Sequence, residues 1–404
     1  MLKERNFLIL WLGQVVSIFG SRFSELVIPW IVLQVTNSPM KAAIVAISTQ
    51  IAPLLFSLPA GVWVENWSKK KIAIASELVR MIMMFILAIT IFLDQFNLLV
   101  ISTILFMTGI AGLLFRISMN ALLPGIAGRT RLVEAHNYME AADAISTLIG
   151  PLLAGIVLSY IGAAATLSID AFSFFISFIS LFSLTFIEKE SRKSKTNKQS
   201  YFKQGVSGVK LLFSSKIQRF ITFNHIVLNF TTQAVSLLVI FLAKQDLELS
   251  PAQIGLLLSG AGWGNLVGIF LMHRLKNIHW NKLYGSIMLA SGCGIFIVAL
   301  STNLWIAFLG MFIFDGALSM AFVINGAARQ TVTSDTFLAR ISSGGFLLTG
   351  TVVILANGYA GVVSEWFHTG WALLFCSIIL LLNSAISFVQ KQLQKPLSSF
   401  EVES

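Results

Sequence analysis

Gly61-Val-Trp-Val-Glu65-Asn66-Trp67-Ser68-Lys69-Lys70-Lys71 is a short polar break between two long apolar stretches, and it ends in three consecutive lysines. Basic clusters recur in every second gap along the chain. Arg129 and Arg131 follow the fourth apolar stretch, a dense run from Lys189 to Arg219 follows the sixth, and Arg274, Lys276 and Lys282 follow the eighth. Arg329 and Arg340 follow the tenth, while Lys391 and Lys395 close the chain. The intervening gaps hold only Lys41 and Lys244. Short loops rich in Lys and Arg are retained on the cytoplasmic side of a membrane. The alternation therefore predicts an all-α integral membrane fold with an even number of spans and both termini in the cytoplasm.

Composition points the same way. With 404 residues, 56% hydrophobic and 11% charged, and a mean hydropathy of +0.82, a soluble fold would have too little polar surface to face water. The net charge of +10 is spread over alternate loops, so anionic membrane lipids, not nucleic acid, are its expected counter-surface. Cys293 and Cys376 fall inside apolar stretches and read as packing residues, and the five histidines show no metal-ligand spacing. Met1 to Arg5 leads into an apolar segment reaching Val35, too long for a cleavable signal.

About 20 apolar residues cross the roughly 30 Å hydrocarbon layer. Twelve spans are expected: 6–35, 42–64, 72–93, 98–115, 132–160, 164–187, 220–243, 250–275, 283–301, 304–324, 338–363 and 371–389. The polar stretch 188–217 separates an N-terminal six-helix bundle, 1–187, from a C-terminal one, 218–404. Its later part, with Tyr201, Phe202, Val206, Val209, Leu212 and Phe213 between lysines, reads either as an amphipathic helix on the inner leaflet or as a plain tether. Gly61 and Gly268, and the Ala-Gly pairs at 154 and 360, share nearly the same offset. That suggests two parallel repeats, an arrangement in which substrate binds near the midplane.

The Gly61 to Lys71 loop resembles the signature of the major facilitator superfamily, with Glu65 where the family usually has Asp, Asn66 in place of Arg and Ser68 in place of Gly. Gly13-Gln14, Pro29-Trp30, Asn120-Ala-Leu-Leu-Pro124, Gly150-Pro151-Leu-Leu-Ala154-Gly155 and Ile169-Asp170-Ala171 are similar to its drug:proton antiporter branch, which includes macrolide-efflux and enterobactin-exporter-like proteins. The resemblance implies a transporter, not an enzyme: a monomer in the bacterial cytoplasmic membrane that exports amphiphilic small molecules by alternating access against proton entry, with no cofactor beyond the proton gradient. Gly150-Pro151 also looks like the fifth-helix antiporter signature. Gly61, Gly150, Pro151 and Gly155 would serve as latch and hinge positions, because proline frees a backbone carbonyl and glycine permits close helix contact.

Charges inside spans are the informative residues, since each costs at least about 2.5 kcal/mol to insert. Arg22 and Glu25 are three apart on one face of the first span, and either pair with each other or turn to other helices. Glu140 and Asp143 share a face of the fifth span. At about 1.5 Å per residue Asp143 lies roughly 16 Å in from Leu132, which makes it the first candidate for proton coupling, followed by Glu25, Asp315 and Glu140. Arg22, Arg80 and Arg116 are the candidate charge partners. Glu65, Lys69, Lys70 and Glu77, with Arg80, form an expected cytoplasmic latch. Asp170 reads as structural. Gln14, Ser17, Trp30, Phe56, Asn229, Thr232, Gln233, Phe314 and Ser319 are candidate cavity residues. The 33 Phe and 12 Met suit a pliable apolar pocket. Gly125-Ile-Ala-Gly128-Arg-Thr lacks the Gly-Lys-Ser/Thr ending of a phosphate loop, leaving an ion or substrate gradient as the energy source. A lipid or lysophospholipid flippase of the same fold is the alternative function, and a non-transporting membrane sensor or assembly partner a more remote one.

Overall fold

The computed structural model describes residues 4–128, 131–185, 207–275 and 279–390. Among the described residues eleven long helices stand out: α1 Arg5–Thr36, α2 Pro39–Asn66, α3 Lys69–Phe92, α4 Leu98–Ala127, α5 Leu132–Phe182, α6 Lys216–Phe241, α7 Pro251–Leu275, α8 Trp280–Ala299, α9 Leu304–Val332, α10 Asp335–Trp366 and α11 Thr369–Val389. All eleven contain a stretch long and apolar enough to cross a membrane. The protein is a multi-pass, all-helical membrane protein.

Short capped connections start many of these helices. Ser38, Ser68 and Ser215 accept from the backbone N–H of Lys41, Lys71 and Gln218, while Asn97 and Asn303 each accept from two N–H groups. Such caps satisfy amide donors that would otherwise be orphaned at a helix start.

The 51-residue run of α5 is interrupted at Gly162, whose φ of 81° and ψ of 174° suit a residue without a Cβ. Contacts with α1 show what the break does. Trp11 Nε1 donates to Tyr138 O at 3.0 Å and Arg22 reaches Asp143, so the first arm, 132–161, runs in the direction of α1. Gln14 bonds Ser177 and Ser24 bonds Asp170, so the second arm, 163–182, runs against it. The chain reverses at Gly162. Expected spans five and six are thus one helical element folded at a glycine.

The chain divides into two compact units, Met1–Thr196 with Ser250–Gly255, and Asn197–Leu249 with Leu256–Ser404. In the first, Phe7, Leu10, Ala73, Leu122, Leu123, Ala135 and Leu181 join α1, α3, α4 and both arms of α5 in one apolar core. In the second, Ser377 and Ser384 of α11 donate to Gly292 O and Gly285 O of α8 at 2.8 and 2.7 Å, and Asn383 donates to Asn224 at 2.7 Å. Small and hydroxylated residues hold helices together where lipid supplies no hydrophobic contrast.

Residues 207–212 are helical, but they do not lie free on a leaflet. Leu212 is fully buried, its carbonyl accepts from Thr222 Oγ1 at 2.9 Å, and Gly208 packs on the backbone of α10 at Arg340 and Gly344. Tyr201, Phe202 and Val206, which carried the expectation of an inner-leaflet helix, lie outside the described residues.

Candidate functional site

The first unit carries a charge cluster centred on Arg22. From α1 its guanidinium donates to Glu25 Oε2 at 2.9 Å, one turn along, and to Asp143 Oδ1 at 2.8 Å on α5. It also reaches Thr147 Oγ1 at 2.9 Å and Ser146 Oγ at 3.3 Å. Both hydroxyls donate in turn to Asp143 O, at 2.7 Å from Ser146 and 2.9 Å from Thr147. The guanidinium is planar with five N–H donors, and here it spans two carboxylates and two hydroxyls on two helices. Gly150 makes this approach feasible, because a Cβ there would stand 2.8 Å from Arg22 Cβ and Cγ.

Exposure divides the cluster. The Arg22 side chain is only 21% exposed, whereas those of Glu25 and Asp143 are 62% and 54% exposed. One cation is held by two carboxylates that remain accessible, so the cluster carries one negative charge when both are ionised. A proton or a cationic ligand reaching either acid would compete with Arg22 for it. Glu140, expected alongside them, is exposed and makes no ion pair among the described residues.

A neighbouring face of α1, about 100° around the helix, looks inward. Arg80 of α3 donates Nη1–H to Glu77 Oε1 at 3.1 Å and Nη2–H to Ser21 at 3.4 Å, with its guanidinium 3.9 Å from the Phe174 ring centroid. Asp170 accepts from Ser24 and, at 3.3 Å, from Ser173. Glu77 is 0% and Asp170 2% exposed. This corrects the expected latch, because Glu77 and Arg80 sit in the bundle interior. At eight residues past Lys69 and about 1.5 Å per residue, Glu77 is already roughly 12 Å from the loop. Lys70 has a different use as well. Its Nζ donates to Leu184 O at 2.6 Å and Phe182 O at 3.4 Å, capping the end of α5, where a cation also complements the helix dipole. Lys69 is half-buried at the first position of α3. The Glu65 side chain lies outside the described residues, Gly61 has open space where a Cβ would stand, and Arg116 is exposed.

Three expected cavity residues are packed away. Gln14 donates to Ser177 at 2.9 Å and Ser17 is buried beside it on α1; the small serines of the second α5 arm supply partners that a reading of α1 alone cannot see. Phe314 is 2% exposed in the second unit's core, its carbonyl accepting from Ser291 at 3.1 Å. Trp30 is half-buried, and Phe56 is also half-buried, in an aromatic group with Trp63 and Phe106. In the second unit Asn229 donates to His225 O at 2.7 Å, Gln233 to Asn357 at 3.4 Å, Thr232 to Leu228 O at 2.7 Å and Ser319 to Gly316 O at 2.9 Å. Asp315 accepts from Asn265 Nδ2 at 2.8 Å. No sequence spacing singled out Asn265, fifty positions away.

Of the hinge positions, Gly155 and Pro151 meet a partner at the start of α7. A Cβ on Gly155 would lie 3.0 Å from the carbonyl carbon of Pro251, and one on Gly255 would lie 3.0 Å from that of Pro151. The first α5 arm and the first turn of α7 thus touch backbone to backbone, and Ala252 N donates to Ser159 Oγ at 3.0 Å.

A family model described as Transmembrane secretion effector matches residues 1–400. The chain belongs to this family of major facilitator transporters. It is similar to Macrolide efflux protein A of Streptococcus pyogenes, 21% identical over 93% of this chain and 94% of that protein. It is also similar to the multidrug efflux pump Tap of Mycobacterium tuberculosis, 23% identical over 65% of this chain and 63% of the pump. Among solved structures, the nucleoside transporter NupG superposes with a TM-score of 0.76 at 14% identity, covering 96% of this chain and all of that one. A bacterial homologue of the iron transporter ferroportin gives 0.73 at 15% identity, covering 94% and 99%. As a member of this family the chain is a transporter, not an enzyme.

Proposed function

We propose that this major facilitator protein is a secondary active exporter of amphiphilic small molecules, driven by proton antiport and working by alternating access in the bacterial cytoplasmic membrane. Its topology in this reading is twelve spans, with α5 counted as two across Gly162 and both termini in the cytoplasm. The carrying observation is Arg22 shared between the exposed carboxylates of Glu25 and Asp143. Protonating Asp143 removes its hold on Arg22, releases α5 from α1 at this level and leaves Arg22 with Glu25. A cationic group on a substrate competes for the same carboxylates, so proton and substrate exclude one another. Exclusion of this kind is what antiport requires. In the second unit Asp315, bonded to the neutral amide of Asn265, is the acid proposed for a comparable part.

The energy suffices: a proton moving down about 100 mV releases roughly 2.3 kcal/mol, which supports about 50-fold accumulation at 1:1 coupling. The relatives named for macrolide and multidrug efflux support the substrate class. Proteoliposomes loaded with candidate amphiphiles and given an imposed pH gradient test the reading. Wild type should accumulate substrate uphill, and Asp143→Asn should retain only downhill exchange.

A further inference from the structure

The interior cluster beside α1 holds Glu77, Asp170 and Arg80, two carboxyl groups for one cation. The three are not equally satisfied. Asp170 Oδ2 accepts from Ser24, and Oδ1 lies 3.3 Å from Ser173 Oγ, whose single O–H is nearer the Asp170 backbone carbonyl at 2.7 Å; donation to a carboxylate oxygen stabilises the ionised form. Glu77 is fully buried and receives Arg80 Nη1 on Oε1, with the Ser177 side chain close by; its Oε2 has no hydrogen-bond partner. The guanidinium does not fill the deficit as it is placed: one face lies against Phe174, Nη2 is given to Ser21, and Nε is buried without a partner.

With both acids ionised, this buried core would hold one uncompensated negative charge and a bare carboxylate oxygen. Burial of an unpaired charge costs several kcal/mol. The charged and titratable groups facing Glu77 are Arg80 on its own helix and Asp170 on α5, with Glu25 of α1 and Arg116 of α4 farther out. Arg116 is exposed, and Glu25 adds to the negative side.

We propose that Glu77 is a second proton-binding site of the transporter, occupied in this conformation, with the proton on Oε2, Arg80 donating to Oε1, and the charge of Arg80 left to balance the nearby Asp170. The step is simple: a proton adds to the carboxylate oxygen to form an O–H bond, and leaves to water when the cluster opens. The opening element is α1. Ser21 and Ser24 contact the interior cluster, while the adjacent Arg22 and Glu25 form the exposed one. A shift of α1 that parts Arg22 from Asp143 therefore also disturbs the partners of Arg80 and Asp170. This inference rests on the antiport reading for its use in transport, but not for the existence of the bound proton.

Infrared difference spectroscopy of the purified full-length protein at neutral pH reads the proton directly, through the carbonyl band of a protonated carboxylic acid. Wild type minus Glu77→Gln should show that band, and wild type minus Asp143→Asn should not. The melting temperature of Glu77→Gln should stay within a few degrees of wild type, because Gln copies a neutral Glu, whereas Asp170→Asn, which strands Arg80, should melt markedly lower. No band in the Glu77→Gln difference would overturn the proposal. So would a Glu77→Gln protein that fails to fold, since an ionised Glu77 would then be what Arg80 requires. A wild type showing the band but no gradient-driven accumulation would sink the antiport reading and leave Glu77 as a structural proton site.

Discussion

Replacing Gly155 with alanine should separate the first arm of α5 from the start of α7. The added Cβ would lie 3.0 Å from Pro251 C and 3.1 Å from Ala252 Cα, and closer still to the Pro251 carbonyl oxygen. These are backbone atoms, which cannot rotate aside. Overpacking of this kind costs about 1–3 kcal/mol, and the Ala252 N–H to Ser159 bond that is lost with it contributes about 0.5–1.5 kcal/mol. Together, roughly 1.5–4.5 kcal/mol corresponds to an opening equilibrium shifted by a factor on the order of 10 to 10³. Hydrogen exchange at the Ala252 amide, resolved by fragmentation mass spectrometry, reports that opening because exchange follows the open population. The expected result is faster exchange at Ala252 by about that factor, with amides of the second unit's core unchanged. Gly255→Ala, the reciprocal change against Pro151, should behave alike. Unaltered exchange at Ala252 in a folded Gly155→Ala protein would refute the reasoning.

Three other substitutions have defined outcomes. Lys70→Ala should cost about 0.3–1 kcal/mol through loss of the α5 cap, seen as a small drop in melting temperature that Lys70→Arg largely restores. Asp315→Leu should leave the amide of Asn265 unpaired and cost about 1–3 kcal/mol, while Asp315→Asn keeps a partner for that amide and loses much less; thermal unfolding of the two variants side by side decides. Arg22→Lys should destabilise by no more than about 1 kcal/mol, because its acidic partners are exposed. It should nevertheless impair transport, since a compact ammonium cannot span both carboxylates and both hydroxyls as the guanidinium fork does.

The multi-pass helical architecture was legible because stretches of about 20 apolar residues are a one-dimensional signal. Arg22 with Glu25 and Glu77 with Arg80 were legible as pairs for a similar reason, since residues three apart share a helix face. Their surroundings were not. The Asp143 partner lies 121 positions from Arg22, and only the fold brings it there. Glu77 was assigned to the cytoplasmic loop by nearness in sequence, although two helical turns carry it into the bundle. Gln14 and Ser17 looked like cavity polarity because a polar residue in an apolar span must find a partner. Spacing on α1 does not reveal that Ser177 and its neighbours supply one. A stripe of Ser173, Ser177 and Ser180 on the second arm of α5, three to four residues apart, was the available signal for that contact.

The central claim is that substrate and proton compete through Asp143, and proton release on substrate binding tests it most directly. Purified transporter in weakly buffered detergent, brought to a pH low enough for Asp143 to carry the proton and mixed with a saturating amphiphilic cation identified by thermal stabilisation, should release protons to a pH indicator dye. Release should be present in wild type and absent in Asp143→Asn, with both proteins still binding the cation. Equal proton release from the two proteins, or cation binding by wild type with no release at any pH, would contradict the account.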